Sequence, residues 1–288
     1  MIPAPFDYRR PASLDEALAA LAESDGSAKV IAGGMSILPL MKLRLASPDS
    51  LIDIGRLDDL KGVRRMDDGR LAVGALTTYA ELLGSPARHY GLLRDALPEI
   101  GDLQVRNRGT VGGAIAHADP ASDLPACLLA LDVELVARSV SGERTIPIAG
   151  FFEGVFTTGL REDELLTEIR LPGGRDDAGS AYVSLQNPAS GYAIVGVAAV
   201  VFGAAGGGIA KAAVALTGVA DAAYRAAAVE AALAGSDGSP VALAAAAEHA
   251  TDGQTVNGDI HADRDYRSRM AVVYTRRAIE AALARLSA

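Results

Sequence analysis

Apolar and polar positions alternate over short distances in the first part of the chain, a pattern that predicts many short strands. Ser13 and Glu16 have the spacing of a capping box, and apolar residues follow at helical intervals to about residue 22. Thr78 and Glu81 form a second such box, a helical turn is expected over residues 36–44, and a longer helix is expected over residues 90–97. Strands are expected over 29–32, 51–54, around 63, and over 71–73, 113–116, 133–137, 144–146 and 164–171.

A polar stretch rich in glycine, residues 172–177, separates this part from the second half and predicts a domain boundary. Beyond it, three strands over 181–185, 193–202 and 212–217 are expected in a meander, with the triple glycine at 206–208 as a hairpin turn. Alanine-rich helices are expected over 222–234, 241–250 and 267–284. The pattern lacks regular βαβ alternation, which indicates an α+β fold and argues against a doubly wound nucleotide-binding fold. The expected domains are residues 1–175 and 178–288.

Composition and charge narrow the function classes. The 288 residues carry a formal net charge of −9 without a basic run, which argues against binding to nucleic acid or anionic membranes. The single cysteine, Cys127, excludes an internal disulfide and an iron–sulfur cluster held by this chain alone. The first residues lack the pattern of a signal peptide, and the longest apolar run, 193–205, is too short to cross a bilayer. We therefore expect a cytoplasmic protein without an integral membrane segment.

Two loops that contain paired glycines carry the candidate chemistry. The first comprises Ala32, Gly33, Gly34, Met35 and Ser36, and the second comprises Thr110, Val111, Gly112, Gly113 and Ala114. Neither has the spacing of a P-loop or of a Rossmann dinucleotide turn. Paired glycines permit close backbone approach and positive φ, so that successive amides can point at one anion such as a diphosphate. They are equally typical of tight turns, and the residues alone leave both interpretations open.

At these loops the sequence resembles a known family. Residues 32–42 resemble the first flavin-binding loop of the medium, FAD-carrying subunit of molybdenum hydroxylases, and residues 110–125 resemble its second loop. Residues 6–11, 163–166 and 188–193 also fit, so that the resemblance runs through the whole chain in order. Medium subunits of the aerobic carbon monoxide dehydrogenase type are the nearest branch.

The resemblance implies a fold, a cofactor and partners. The fold is a vanillyl-alcohol-oxidase-type (PCMH-type) FAD-binding domain in two lobes, about 1–56 and 57–175, followed by a small C-terminal domain of a three-stranded antiparallel sheet with helices. The chain would bind FAD and take electrons from two [2Fe–2S] clusters of a small subunit. A large subunit would carry molybdopterin, in a dimer of heterotrimers, and an external acceptor such as a quinone or oxygen would receive the electrons. No catalytic residue or metal ligand is expected in this chain.

The same resemblance assigns site residues. Both glycine loops would wrap the diphosphate and ribityl chain, Asp123 would make a polar FAD contact, and Leu166 would make an apolar contact near the adenine. Tyr192 would lie beside the isoalloxazine ring. Two positions depart from the family pattern: Ala114 replaces a usual asparagine, and Gln186 stands where a lysine is common. We expect weaker polar anchoring there but retained FAD binding.

Other functions stay open at this point. One is a self-contained flavin oxidase of the vanillyl-alcohol-oxidase superfamily, and another is a non-catalytic scaffold with an empty loop site. Tyr192 could simply cap a sheet, and a lone histidine such as His117 is more typical of structure than of catalysis. The substrate of the complex is equally open, with carbon monoxide ahead of nicotine-like heterocycles, purines and aldehydes. No nicotinamide-binding motif is visible, so NAD is not the favoured acceptor.

Overall fold

The structure is a computed structural model that describes residues 2–174 and 177–286. It begins with a parallel sheet of strand order β1-β3-β2, built from β1 (Asp7–Arg9), β2 (Ala28–Ile31) and β3 (Ser50–Asp53). Helix α1 (Leu14–Glu23) connects β1 to β2, and α2 (Ile37–Lys42) connects β2 to β3. Ser13 caps α1 as predicted, because its hydroxyl accepts from the Glu16 N–H at 3.2 Å. The apolar side of α1 is buried through Ala17, Leu18 and Leu21.

A five-stranded antiparallel sheet of order β4-β5-β10-β6-β7 follows. Its strands are β4 (Val63–Arg65), β5 (Leu71–Gly74), β6 (Glu134–Ser139), β7 (Gly142–Pro147) and β10 (Leu165–Leu171), and a small hairpin joins β8 (Phe152–Gly154) to β9 (Thr157–Thr158). Strands β4 and β5 form an antiparallel hairpin. Five helices lie between β5 and β6 along the chain: α3 (Tyr79–Leu83), α4 (Gly91–Glu99), α5 (Leu103–Arg106), α6 (Val111–His117) and α7 (Asp123–Ala130). The central strand β10 is buried along most of its length.

The strand expected over residues 113–116 is wrong, because these residues lie within helix α6. Thr110 begins that helix: its hydroxyl accepts from the Gly113 N–H at 3.2 Å. Val111 and Ile115, four residues apart, are both buried on the same side of the helix. Capping and this apolar pair outweigh the low helix propensity of the two glycines.

The C-terminal sheet has the three long antiparallel strands that the sequence predicts, β11 (Ala178–Gln186), β12 (Ala193–Gly203) and β13 (Ile209–Thr217). A two-residue edge strand, β14 (Tyr224–Arg225), extends it to four. The helix expected from residue 222 therefore starts later, as α8 (Ala227–Leu233). Backbone pairing of β14 with β13 and the bond from the Tyr224 hydroxyl to the Ala250 carbonyl, 2.9 Å, hold this segment extended.

Helices cover both faces of this sheet. The remaining two helices are α9 (Pro240–Ala247) and α10 (Arg264–Leu286). Helix α10 approaches β11 so closely that a Cβ on Gly179 would lie 2.0 Å from the Ala282 carbonyl oxygen. On the opposite face, side chains of α4 and α7 share the largest core cluster with Tyr182, Ala198 and Ala213 of the sheet. Burial on both faces explains why β12 is almost continuously apolar.

Some predictions cannot be compared with the structure. Residues 175 and 176 of the predicted boundary lie outside the described residues, as do the terminal residues 1, 287 and 288. Among the residues that are described, no helix combines the length and apolar character needed to cross a bilayer.

Candidate cofactor-binding site

The two glycine loops, far apart in the sequence, touch each other in the fold. The first loop, residues 32–36, leaves the carboxyl end of β2 and leads into α2. Gly34 has φ of +76°, a conformation that favours glycine. A Cβ on Gly33 would lie 1.9 Å from the Arg108 carbonyl oxygen and 3.1 Å from the Gly109 Cα. Gly33 therefore packs backbone to backbone against the two residues that precede the second loop.

The first loop has free backbone donors. Within the described chain, the N–H groups of residues 33–37 donate no hydrogen bond, and most of these residues are half-buried. These donors are open to the surface and unpaired within the protein, so the consecutive row can bind an external acceptor. A row of this kind is suited to an anionic group such as a diphosphate.

Four backbone amides of the second loop, at residues 111–114, donate hydrogen bonds inside the protein. The Val111 N–H donates to the Thr77 carbonyl at 2.9 Å, and the Gly112 N–H donates to the Ala75 carbonyl at 2.8 Å. The next two amides, at 113 and 114, donate to the hydroxyl and carbonyl of Thr110 at 3.2 and 3.1 Å. Gly112 is required for packing, since a Cβ there would lie 2.5 Å from the Ala75 Cβ. This diglycine supports close packing next to the first loop instead of offering a second row of amides.

Asp123 is a buried carboxylate with one free oxygen. It is the first residue of α7 and is only 4% exposed. The Tyr182 hydroxyl donates to its Oδ1, whereas Oδ2 has no hydrogen-bond partner among the described residues. Burial raises the pKa of Asp123 to about 6, and the hydrogen bond from Tyr182 counteracts part of that rise. The free oxygen can accept a hydrogen bond from a ligand hydroxyl or N–H.

Tyr192 lies in the turn between β11 and β12 and is 45% exposed. Its carbonyl accepts from the Asn187 N–H at 2.8 Å, and the next amide, Ala193, donates to the Ala121 carbonyl at 3.3 Å. Partial burial raises the pKa of the Tyr192 phenol, and the charges of Asp119 and Asp123 raise it further. The open ring is thus close to the acidic segment that begins α7, where a planar ligand could stack.

Leu166 and Gln186 have other surroundings. Leu166, on β10, is 5% exposed and packs in the largest core cluster. The side-chain amide of Gln186 donates to the Glu99 carbonyl at 3.3 Å, at the end of α4. Ala114, in α6, packs against the same core as a partly buried residue. Among the described residues, no hydrogen bond links these three positions to the first loop.

Two further residues, Tyr79 and Arg106, shape this region. The aromatic ring of Tyr79 lies against the second loop, since a Cβ on Gly109 would lie 2.6 Å from Tyr79 Cε2. Arg106 organises the turn before that loop by donating from Nη1 to the carbonyls of Pro98, Ile100 and Gly101 at 3.0, 3.1 and 2.7 Å. The capping box at Thr78 was the one local signal that pointed to Tyr79.

These features fit FAD. The free amides of residues 33–37 suit a diphosphate. They can bind it without a cationic side chain, which matters because the protein has a net charge of −9 and the guanidinium of the nearby Arg106 already donates to backbone carbonyls. The free Asp123 oxygen suits a hydroxyl or imide donor, and the open Tyr192 ring suits an aromatic system. His117 instead stacks on Phe156 with ring centroids 4.8 Å apart, in keeping with a structural role.

Comparison with known proteins decides the family. Residues 4–174 match the model of the FAD-binding domain in molybdopterin dehydrogenase, and residues 180–282 match that of the CO dehydrogenase flavoprotein C-terminal domain. The chain belongs to this flavoprotein family. It is an FAD-binding subunit of an oxidoreductase of the molybdenum hydroxylase class, as the resemblance predicted.

Relatives cover the chain almost completely. It is 40% identical over 287 residues to the carbon monoxide dehydrogenase medium chain of Hydrogenophaga pseudoflava, with 99% of each chain covered. It is 35% identical to the 6-hydroxypseudooxynicotine dehydrogenase complex subunit alpha of Paenarthrobacter nicotinovorans, covering 99% of this chain and 97% of the relative. The structure of carbon monoxide dehydrogenase from Hydrogenophaga pseudoflava superposes with a TM-score of 0.95 at 42% identity, with 99% of each chain covered. These matches confirm the predicted α+β fold with an FAD-binding and a C-terminal domain.

Proposed function

We propose that this chain is the FAD-binding electron-transfer subunit of an aerobic carbon monoxide dehydrogenase complex. The observation that carries the proposal is the row of free amides at residues 33–37, held against the second loop by Gly33. Two medium chains of carbon monoxide dehydrogenases, 40% and 36% identical over 287 residues, support this complex. A heterocycle-oxidising relative at 35% identity makes a heterocycle the main competing substrate.

We assign the diphosphate of FAD to the amides of the first loop, Ala32 to Ser36. Each hydrogen bond from a neutral donor to a charged group contributes about 1.5–3 kcal/mol, so a few of them suffice without a lysine. The second loop, Thr110 to Ala114, supplies the wall against which the first is packed. Asp123 would accept from a polar group of the flavin half through Oδ2, and Tyr192 would cover the ring. Leu166 stays a predicted contact near the adenine, and Gln186 stays a predicted contact of FAD.

Redox chemistry in such a site belongs to bound FAD, which links one-electron donors to one- or two-electron acceptors. The residues of this chain bind, orient and shield it. We further propose a small subunit with [2Fe–2S] clusters and a large subunit with molybdopterin as partners, in a dimer of heterotrimers. Domain limits at 1–175, with lobes at 1–56 and 57–175, and at 178–288, together with a cytoplasmic location, belong to the same proposal.

Two measurements test this function. The purified full chain, reconstituted with FAD, should bind one equivalent and show the visible spectrum of a flavoprotein; a chain that stays colourless with excess FAD refutes the proposal. Co-expression with the partner genes should then give a complex that reduces an artificial electron acceptor when supplied with carbon monoxide. If the complex instead hydroxylates a heterocycle and ignores carbon monoxide, the flavin role stands and the assignment to carbon monoxide dehydrogenase fails.

A further inference from the structure

Tyr182 reaches the proposed FAD site from the C-terminal sheet. It lies on β11 and is 4% exposed, and its hydroxyl donates to Oδ1 of Asp123, which is buried to the same extent. Oδ2 of Asp123 has no partner among the described residues and is not enclosed by them. The tyrosine thus holds a buried carboxylate by one oxygen and leaves the other for a ligand.

The path of the Tyr182 side chain depends on Gly196 of the central strand β12. A Cβ on Gly196 would lie 2.1 Å from the Tyr182 hydroxyl oxygen and 3.0 Å from its Cζ. Gly196 pairs with Ser184, so the tyrosine ring leans diagonally across the two strands. Glycine inside a central strand weakens the strand and often marks a close approach. Here the missing side chain makes room for the hydroxyl that reaches Asp123.

The backbone of Tyr182 is anchored as well. Its N–H donates to Oδ2 of Asp95, on α4, at 3.1 Å. Arg285, on α10, donates to both oxygens of Asp95, at 2.5 and 3.0 Å, and to the Ser180 carbonyl at 2.7 Å. Helices on both faces of the sheet therefore fix the strand from which the hydroxyl is presented.

The hydrogen bond also determines what Asp123 can offer to a ligand. Burying a carboxylate costs free energy unless a hydrogen bond or a charge compensates it. Burial raises the pKa of Asp123, and the hydrogen bond from Tyr182 lowers it. The ionised carboxylate accepts through both oxygens, whereas the protonated form has a donor on one of them. Tyr182 thus favours the form in which Oδ2 is an acceptor.

We propose that Tyr182 is a positioning residue of the FAD site: its hydroxyl orients the Asp123 carboxylate so that Oδ2 accepts a hydrogen bond from the flavin–ribityl half of FAD. Tyr182 acts through Asp123 and not by touching the cofactor. The C-terminal region thereby takes part in FAD binding through one hydrogen bond. The inference rests on the proposed FAD function and deepens it.

Tyr182→Phe tests this role because it removes only the hydroxyl. The carboxyl group of Asp123 should then keep its proton to higher pH, so the midpoint of the pH dependence of FAD affinity should rise from about 6 by roughly one to two units. At pH 7 the Kd for FAD should therefore increase roughly two- to tenfold. Calorimetric titration of the flavin-free full chain with FAD, on both sides of the midpoint, measures both quantities.

Other titratable groups near Asp123 do not confuse this measurement. Burial raises the pKa of the Cys127 thiol and of the Tyr79 and Tyr192 phenols, so these groups stay neutral around the midpoint. The negative charge of Glu99, at the end of α4, raises the pKa of Asp123. All four groups are present in parent and variant, so their effects largely cancel in the difference.

Tyr224→Phe is the matched control. It removes another hydroxyl of the same sheet that bonds within the protein, to the Ala250 carbonyl at 2.9 Å. Both variants should lower the melting temperature of the flavin-free chain, but Tyr224→Phe should leave the Kd for FAD and its pH midpoint unchanged. Replacing Tyr182 by 3-fluorotyrosine keeps the hydroxyl and makes it a stronger donor, so the midpoint should shift to lower pH. In an Asp123→Ala background, Tyr182→Phe should have no further effect on the Kd.

The outcomes separate this inference from the function on which it rests. If the parent chain binds no FAD at any pH, the proposed function fails. If the parent binds FAD and Tyr182→Phe keeps its Kd and pH midpoint, only the positioning role is overturned. A further loss of affinity in the Asp123→Ala background would also overturn it, because Tyr182 would then act by another route. If Tyr182→Phe does not fold, the fluorotyrosine protein decides, and an unshifted midpoint there refutes the role.

Discussion

The hydroxyl of Tyr182 donates a hydrogen bond to Oδ1 of Asp123, and this bond joins strand β11 to the first turn of α7. The two residues lie in regions that match different family models, so the bond crosses between the FAD-binding and C-terminal regions. Burial of both partners fixes the carboxylate in one orientation and leaves Oδ2 for the proposed cofactor. The C-terminal sheet thus contributes directly to the geometry of the site.

The stability of the flavin-free protein should depend on pH through Asp123. Burial raises its pKa from 3.8 to about 6, so the protonated form favours folding. The contribution of protonated Asp123 to the stability of the folded state is complete below about pH 4 and is lost as the pH rises through 6. The difference of about 2 pKa units corresponds to about 3 kcal/mol. Asp123→Asn removes this titration. As the pH rises from 4 to 8, the unfolding free energy of the parent should therefore fall by about that amount relative to the unfolding free energy of the variant.

Urea denaturation of both proteins across this pH range measures the effect. Every other ionisable group is shared by the two proteins and largely cancels in the difference. A difference that stays constant with pH would show that the Asp123 carboxyl titrates at its ordinary value. The FAD affinity of Asp123→Asn should fall as well, because a side-chain amide cannot replace both carboxylate oxygens as acceptors.

Gly33 is the position at which the two loops depend most on the absence of a side chain. A Cβ there would overlap the Arg108 carbonyl at 1.9 Å, so Gly33→Ala must push the loops apart. We expect a stability loss of about 1–3 kcal/mol, typical of overpacking. The Kd for FAD should rise more than roughly tenfold, since even one lost bond to a charged group is worth about 1.5–3 kcal/mol.

Gly206→Ala provides the control for this substitution. Gly206 lies in the β12–β13 hairpin turn, and a Cβ there meets no atom within 4 Å. The unfolding free energy of Gly206→Ala should differ from that of the parent by less than about 0.5 kcal/mol, as for ordinary surface substitutions, and its FAD binding should be unchanged. Equal FAD affinity in Gly33→Ala and the parent would argue against the first loop as the diphosphate site.

Local signals in the sequence predicted many of the helices and strands. The capping-box patterns at Ser13 and Thr78 depend on residues three positions apart, and both residues cap the helices that follow them, Thr78 with the complete box. Helix α6 was missed because two glycines masked the signal of Thr110 followed by Val111 and Ile115. Strand β14 was missed because alanines around it favour helix, whereas pairing with β13 decides its conformation. Tertiary contacts outweighed intrinsic propensity in both places.

The geometry of the candidate site could be predicted only in part from local sequence. Paired glycines predicted close backbone approach at both loops, and Gly33 and Gly112 each have it. Which amides stay free depends on partners distant in sequence, such as the carbonyls of Ala75 and Thr77 that accept from the second loop. No pattern within residues 110–114 reveals those partners.

Thr110 should stabilise the protein through its hydroxyl, which caps α6 by accepting from the Gly113 N–H at 3.2 Å. Thr110→Ala should therefore lower the unfolding free energy by about 0.5–2 kcal/mol, the usual value of an N-cap. Both Thr110→Ala and Thr110→Ser remove the threonine methyl group, but only Thr110→Ser keeps the hydroxyl. The difference in unfolding free energy between the two variants therefore isolates the capping hydrogen bond. Thermal unfolding of both checks this, and equal melting temperatures would contradict a capping role.

Arg267 ties together the segments that frame Tyr192. Its buried guanidinium donates from Nη1 to the carbonyls of Ile194, at 2.6 Å, and Gly218, and from Nη2 to Asp259 at 2.8 Å. Tyr192, Asp259 and Arg267 also line one cavity of about 220 Å³. The arginine thus anchors the end of the turn that presents Tyr192.

Replacing this arginine should therefore loosen the turn. Arg267→Gln should cost about 2–5 kcal/mol, because it leaves two carbonyls without their donor and breaks the ion pair of the buried guanidinium with the half-exposed Asp259. Amide hydrogen exchange should accelerate in residues 187–194 and stay unchanged in the β4–β5 hairpin. Arg9→Gln is the control: Arg9 pairs with Glu23 on the surface at 3.1 Å, and its loss should cost at most about 1 kcal/mol. Uniform acceleration across the chain in Arg267→Gln would indicate general destabilisation and contradict a local role beside Tyr192.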